Sequence, residues 1–407
     1  MDPATLIPIP GIEPLTTGDW ITAYLSDNGE WVGLNVWVEP DDSFFQVVEV
    51  ATGAVVTDRP RGLFPVGVGH DGVVYSFSYL PYSGSRFRKL SPGADELETV
   101  FDGFPLDFSF WGPSVVLGPD GVAWLGTFGG ALRAKVAGMV VIDLATGAAT
   151  THAVPELTLG AVAESDMGDW VISEEVEPAL VWDASRNRVL VVHGIETKVT
   201  TLDLGTGEVV TNDVSSSTSW LDHLLIWLIP PASAKEGPSS YGTERRALLS
   251  PSGDRLYVAS SVSEVVDETD LRIEATTRGV EIIDTETWEL VHRWEIPASS
   301  VALSPDGRYL VTTGLTWSET PTDFEEHVED LLVIDLESHE IVGRFEQTGT
   351  LPEVQFAPGG SYLYISESII GEDEHRIEIV DLATMKVVAS SQGTLVGGTL
   401  LVKTLQP

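Results

Sequence analysis

Carboxylates are the residues of this 407-residue chain whose number and spacing most invite chemistry. They gather in three runs. Ser263 to Arg278 carries Glu264, Asp267, Glu268, Asp270 and Glu274. Thr316 to Asp330 carries Glu319, Asp323, Glu325, Glu326, His327, Glu329 and Asp330, and Glu367 to His375 carries Glu372, Asp373 and Glu374. Grouped carboxylates can hold Ca²⁺, which takes about six to eight oxygen ligands. No run has the spacing of an EF-hand or a repeated calcium motif. A Ca²⁺ site and a solvated acidic rim therefore both stand as readings. In either case Asp323, Glu325, Glu326, His327, Glu372 and Asp373 are candidate binding residues, and no other cofactor is identified.

Catalytic motifs are sparse. The 8 histidines are scattered, without the HxH or HExxH spacing of a metal site. No G-x-S-x-G elbow or phosphate loop occurs. A Ser-His-Asp triad assembled in space stays open. The absence of cysteine excludes disulfides, thiolate metal sites and thiol nucleophiles. No catalytic residue is nominated.

A second candidate surface is apolar. Residues 215–244 interrupt the β-rich pattern with Ser219-Trp220-Leu221-Asp222-His223-Leu224-Leu225-Ile226-Trp227-Leu228, stopped by Pro230-Pro231. Ser219 with Asp222 resembles a capping box, and the apolar side chains recur at helical spacing. The expectation is a short helix and loop. Trp220, Leu224 and Trp227 would form a lid or dock for a partner, or simply pack on the scaffold.

Composition narrows the partners. Against 62 acidic residues stand 22 basic ones, a formal net charge of -40. Such a surface repels nucleic acid and anionic membranes and favours cations or basic partners. No run of about 20 apolar residues is present to span a bilayer. Met1-Asp2-Pro3-Ala4 lacks a basic stretch leading into an apolar run, so an exported location would need a signal outside this sequence.

The elements that must position these groups repeat along the chain. In the clearest unit the strand Val301-Ala302-Leu303 enters the turn Ser304-Pro305-Asp306-Gly307, where Pro presets φ and Gly supplies the positive φ. Tyr309 to Thr313 reads as a second strand. After a variable connection come Leu331 to Leu336, the turn Glu337-Ser338-His339-Glu340, and Ile341 to Phe345. This is a four-stranded β-meander. The first turn recurs at Asp27-Asn28-Gly29, His70-Asp71-Gly72, Pro119-Asp120-Gly121, Pro251-Ser252-Gly253 and Pro358-Gly359-Gly360, in degenerate form at 183–187. Asp143, Asp203, Asp284, Asp335 and Asp381 each precede the second turn. Five equivalent aspartates are expected to brace turns through backbone amides rather than to catalyse.

Units of the form VALSPDGRYLVTT…LLVIDLESHEIVGRF resemble the YVTN-type and WD-type bacterial propeller repeats, over about residues 20–393. The resemblance implies an all-β propeller in a single domain, 1–407. Seven four-stranded blades are expected, with eight and a hybrid terminal blade as the alternative, and a helical insert at 215–244 between repeats four and five. The tight turns should share one face, and the three acidic runs, as loops of consecutive repeats, should be neighbours on the other. The resemblance implies a non-enzymatic ligand- or protein-binding role at an extracytoplasmic or cell-surface location. The alternative it leaves is a lactonase- or lyase-like enzyme with a carboxylate or metal site on the variable face.

Overall fold

The computed structural model describes residues 20–393, except 27–29, 39–41, 50, 53, 61–63, 81–83, 95, 103–105, 108–114, 129–135, 158–160, 165–170, 196, 215–240, 268–271, 321–322, 358 and 369–374. Its strands form seven sheets. Six have the blade form, four antiparallel strands laid side by side in chain order; the third adds the short strand Leu106–Asp107. The fifth repeat breaks the pattern. Its strands Tyr241–Leu249, Arg255–Asp267, Arg272–Asp284 and Leu290–Trp294 belong to an eight-stranded sheet. Seven equivalent four-stranded blades, or eight, are therefore not what the chain builds. Six blades stand as separate sheets, and one repeat is absorbed into a larger one.

Period-two burial explains the stacking. In Gly121–Phe128, Val122 and Trp124 pack toward the second sheet, while Ala123 and Leu125 pack toward the fourth. In Arg188–Val192 the same alternation sends Val189 and Val191 to the third sheet and Leu190 and Val192 to the fifth. A strand apolar on both faces must be covered on both, so each core lies between neighbouring sheets. The innermost strands Trp20–Leu25, Phe64–Val68, Val115–Leu117, Ala179–Asp183, Tyr241–Leu249, Ser300–Leu303 and Glu353–Phe356 touch one another in succession.

The turns hold as their residues require. Asp143 accepts from the Thr146 amide at 2.7 Å, Asp203 from Thr206 at 2.7 Å, and Asp284 from Thr287 at 2.9 Å. Asp335 accepts from Ser338 at 3.0 Å and Asp381 from Thr384 at 2.9 Å. The five aspartates thus brace hairpins. The degenerate turn of the fourth repeat is a 3-10 turn, Ala184–Arg186, capped by Asp183. It is the one helical element among the described residues. Most of the expected helical insert, 215–240, with Trp220, Leu224 and Trp227, lies outside the described residues. Its last part, 241–244, is strand rather than loop, because Tyr241–Leu249 begins there and pairs on both sides.

Candidate functional site

Two strands of the fifth repeat overrun their blade. Arg255–Asp267 and Arg272–Asp284 are 13 residues each, against 5 for Tyr309–Thr313 and Leu331–Asp335 at the same positions of the sixth repeat. At about 3.3 Å per residue each reaches roughly 40 Å. Near the blade both faces are buried, from Leu256 to Ala259 and from Val280 to Ile283. Farther out burial alternates: Ile273 and Ala275 are covered, whereas Arg272 and Thr276 are exposed. A bulge between Ser260 and Ser261 separates the two regimes. Gly279 sits there with φ 86, and a Cβ on it would collide with the Trp294 carbonyl. Glycine permits this conformation and close approach, which lets the outer hairpin turn away from the blade.

The outer hairpin meets a second one from the sixth repeat. Leu315–Thr320 and Asp323–Val328 pair with each other, and Ile273, Glu274 and Ala275 pair with Glu319, Ser318 and Trp317. Two of the three expected acidic loops are thus not loops but strands of one sheet. At the other end Val171–Glu177 runs parallel to Tyr241–Leu249, with Ala161–Glu164 beyond it. The sheet therefore extends from the link before the fourth blade to an excursion of the sixth, and Asp323–Val328 is its outer edge among the described residues.

A buried charge group anchors the sheet where it leaves the fifth blade. Arg245 and Glu281 are 7% and 4% exposed, with nitrogen and oxygen 3.8 Å apart. Arg245 donates to Gly194 O at 3.2 Å and to Ser260 Oγ. Arg293 donates to the other Glu281 oxygen at 2.5 Å. Burial pulls the Arg245 guanidinium below its ordinary value, and Glu281 opposes that.

No protein-family model matches the sequence, and no curated protein matches it. Solved structures do. The oligogalacturonate lyase of Vibrio parahaemolyticus superposes with a TM-score of 0.52 at 11% identity, covering 92% of this chain and 93% of that one. The chain is a β-propeller. BamB from Moraxella catarrhalis (TM-score 0.43, 13% identity, 86% and 83% covered) and TolB from Acinetobacter baumannii (0.34, 12%, 90% and 77%) are similar more distantly. At these identities the likeness is one of fold.

On the propeller, Asp323, Glu325, Glu326 and His327 all lie exposed on the edge strand. Their register divides them. Asp323, Glu325 and His327 share one face with Thr320, Ser318 and Thr316, whereas Glu326 lies opposite Trp317 on the other. Glu372 and Asp373 lie outside the described residues. Among the described residues no three His, Asp or Glu side chains converge on a point. The two acidic hairpins differ in how their charge is met. In the fifth repeat Arg272 pairs with Glu274 at 2.7 Å, and Arg278 lies 3.9 Å from Glu264. In the sixth, Arg344 pairs with Asp330 at 3.2 Å and His327 lies 3.7 Å from Glu329. No basic side chain among the described residues forms an ion pair with Asp323, Glu325 or Glu326. Sequence reasoning missed Trp317 and Phe324, whose rings lie 6.1 Å apart on this rim. The readable signal was two six-residue stretches separated by Pro321-Thr322, the two-residue spacing of a β-hairpin.

Proposed function

We propose that this propeller is a non-enzymatic binding protein whose acidic sheet rim engages a basic partner protein. The observation that carries this reading is the set Asp323, Glu325 and Glu326 on the edge strand, without a basic partner among the described residues, beside a hairpin whose Glu264 and Glu274 are paired with arginine. Exposed like charges with no counter-ion raise the local potential and steer an oppositely charged partner. The resemblance of the repeats to YVTN- and WD-type bacterial propellers supports an extracytoplasmic or cell-surface location.

The competing reading is a lactonase- or lyase-like enzyme. Its support is the fold shared with the oligogalacturonate lyase. A polyanionic sugar would have to approach a chain of formal charge -40, which disfavours that substrate class here.

A displayed peptide library panned on the whole chain tests the proposal, with D323N/E325Q/E326Q as the second bait. Lysine- and arginine-rich sequences enriched by the wild-type chain and lost from the variant are expected, with recovery falling as NaCl rises. Equal enrichment on both baits would overturn the rim as the binding surface.

A further inference from the structure

The edge strand offers more than charge. Glu329 donates its amide to Gly314 O at 2.9 Å, which places that pair at a hydrogen-bonded position of the ladder. Alternation along the hairpin then turns the amides of His327, Glu325 and Asp323 toward Thr316, Ser318 and Thr320. The backbone groups of Val328, Glu326 and Phe324 point the other way, out of the sheet. The Phe324 amide is taken up by Asp323 Oδ1 at 3.1 Å, and the remaining groups have no partner among the described residues. An open row of amides and carbonyls is a template for another strand.

We infer that this edge binds an extended basic segment of a partner protein as an added β-strand. The inference rests on the binding role proposed above and specifies its occupant. Main-chain hydrogen bonds to Glu326 and Val328 and to the Phe324 carbonyl would supply affinity, and alternate side chains would supply specificity. On one face, Lys or Arg would meet Asp323 and Glu325. On the other, an apolar residue would lie against Phe324, which is 56% exposed, and Trp317. The charge also selects among occupants. A second copy of this chain would bring the same acidic edge, and like charges on adjacent strands repel. The carboxylates that keep two copies apart are those that a basic strand would neutralise.

The test uses the whole chain and a fluorescent peptide alternating lysine and valine. Binding is followed by anisotropy, and amide exchange is read at Glu326 and Val328. Two further peptides carry N-methyl groups on alternate residues, one set on each edge of the peptide. The expected result is binding by the parent, slower exchange at those two amides, and a loss of roughly tenfold or more for one methylated peptide but not the other. E326P removes an outward amide that the sheet does not use, so it should weaken binding well beyond E326Q. Equal binding by both methylated peptides would overturn strand addition and leave a charge-based rim contact standing. Unchanged parent binding to D323N/E325Q/E326Q would overturn the rim reading itself. Absence of parent binding to the wild-type chain would overturn the inference while the library selection still judges the broader role.

Discussion

Two hairpins of the sixth repeat lie next to each other in sequence and differ in almost every physical respect. Tyr309–Thr313 and Leu331–Asp335 are buried at every position, pressed between the fifth and seventh sheets. Leu315–Thr320 and Asp323–Val328 leave the blade between them, and the second strand is exposed at five of its six positions. Both are antiparallel pairs of similar length. What separates them is cover: the blade hairpin is held by apolar contact on two faces, the rim hairpin by backbone pairing to Ile273–Ala275 and an aromatic pair. Apolar burial is concentrated in the first, and the recognition proposed here falls to the second.

The contrast can be broken first at the anchor. Glu281→Ala leaves Arg245 buried without its carboxylate, a loss of about 3–5 kcal/mol that chemical denaturation should register. Leu310→Ala, in the blade hairpin and 0% exposed, is expected to cost about 3 kcal/mol by the same measurement. Gly279→Ala forces a Cβ into the Trp294 carbonyl at a positive φ, for about 2–3 kcal/mol. Its signature is regional: amide exchange should accelerate at Ile273–Ala275 and through the rim hairpin more than in the sixth blade.

Acid separates the turns from the rim by a gentler route. Amides of Thr287 and Glu286, with Arg255, hold the Asp284 carboxyl at about 2, below its ordinary 3.8. The folded state therefore binds fewer protons than the unfolded one. The stability Asp284 contributes is complete above the ordinary value and is lost as pH falls toward about 2. Thermal melts between pH 4 and pH 2 should show a shallower decline in Asp284→Asn than in the wild-type chain. The smallest effect belongs to the rim. Phe324→Ala should change global stability by less than about 0.5 kcal/mol while reducing capture of basic peptides. A large loss of stability there would end the division between holding and recognising.

Much of the scaffold was legible because it repeats. Pro, Asp and Gly at the first turn and Asp before the second act locally, so their consequences can be read without tertiary knowledge, and the five braced hairpins follow. The composite sheet was hidden for the opposite reason. Its decisive contacts, Glu274 with Ser318 and Glu174 with Tyr241, join residues far apart in sequence, and nothing in either segment names the other. Acidic composition suggested loops at 263–278 and 316–330, yet Val262, Ile273 and Ala275 already alternate as a one-sided strand must. Asp323, Glu325, Glu326 and His327 were visible as a charge run. Their distribution over two faces required the register.

The strand pairing that crosses from the fifth repeat to the sixth also bears on how such a chain can change over time. A propeller whose blades are independent can gain or lose one by copying or deleting a segment, since each unit meets its neighbours through similar surfaces. Here, excising the fifth repeat would strip Leu315–Thr320 of its inner partner, and excising the sixth would bare Ile273–Ala275. These two units are inherited together or not at all, and variation in this ring is channelled into substitutions along its edges.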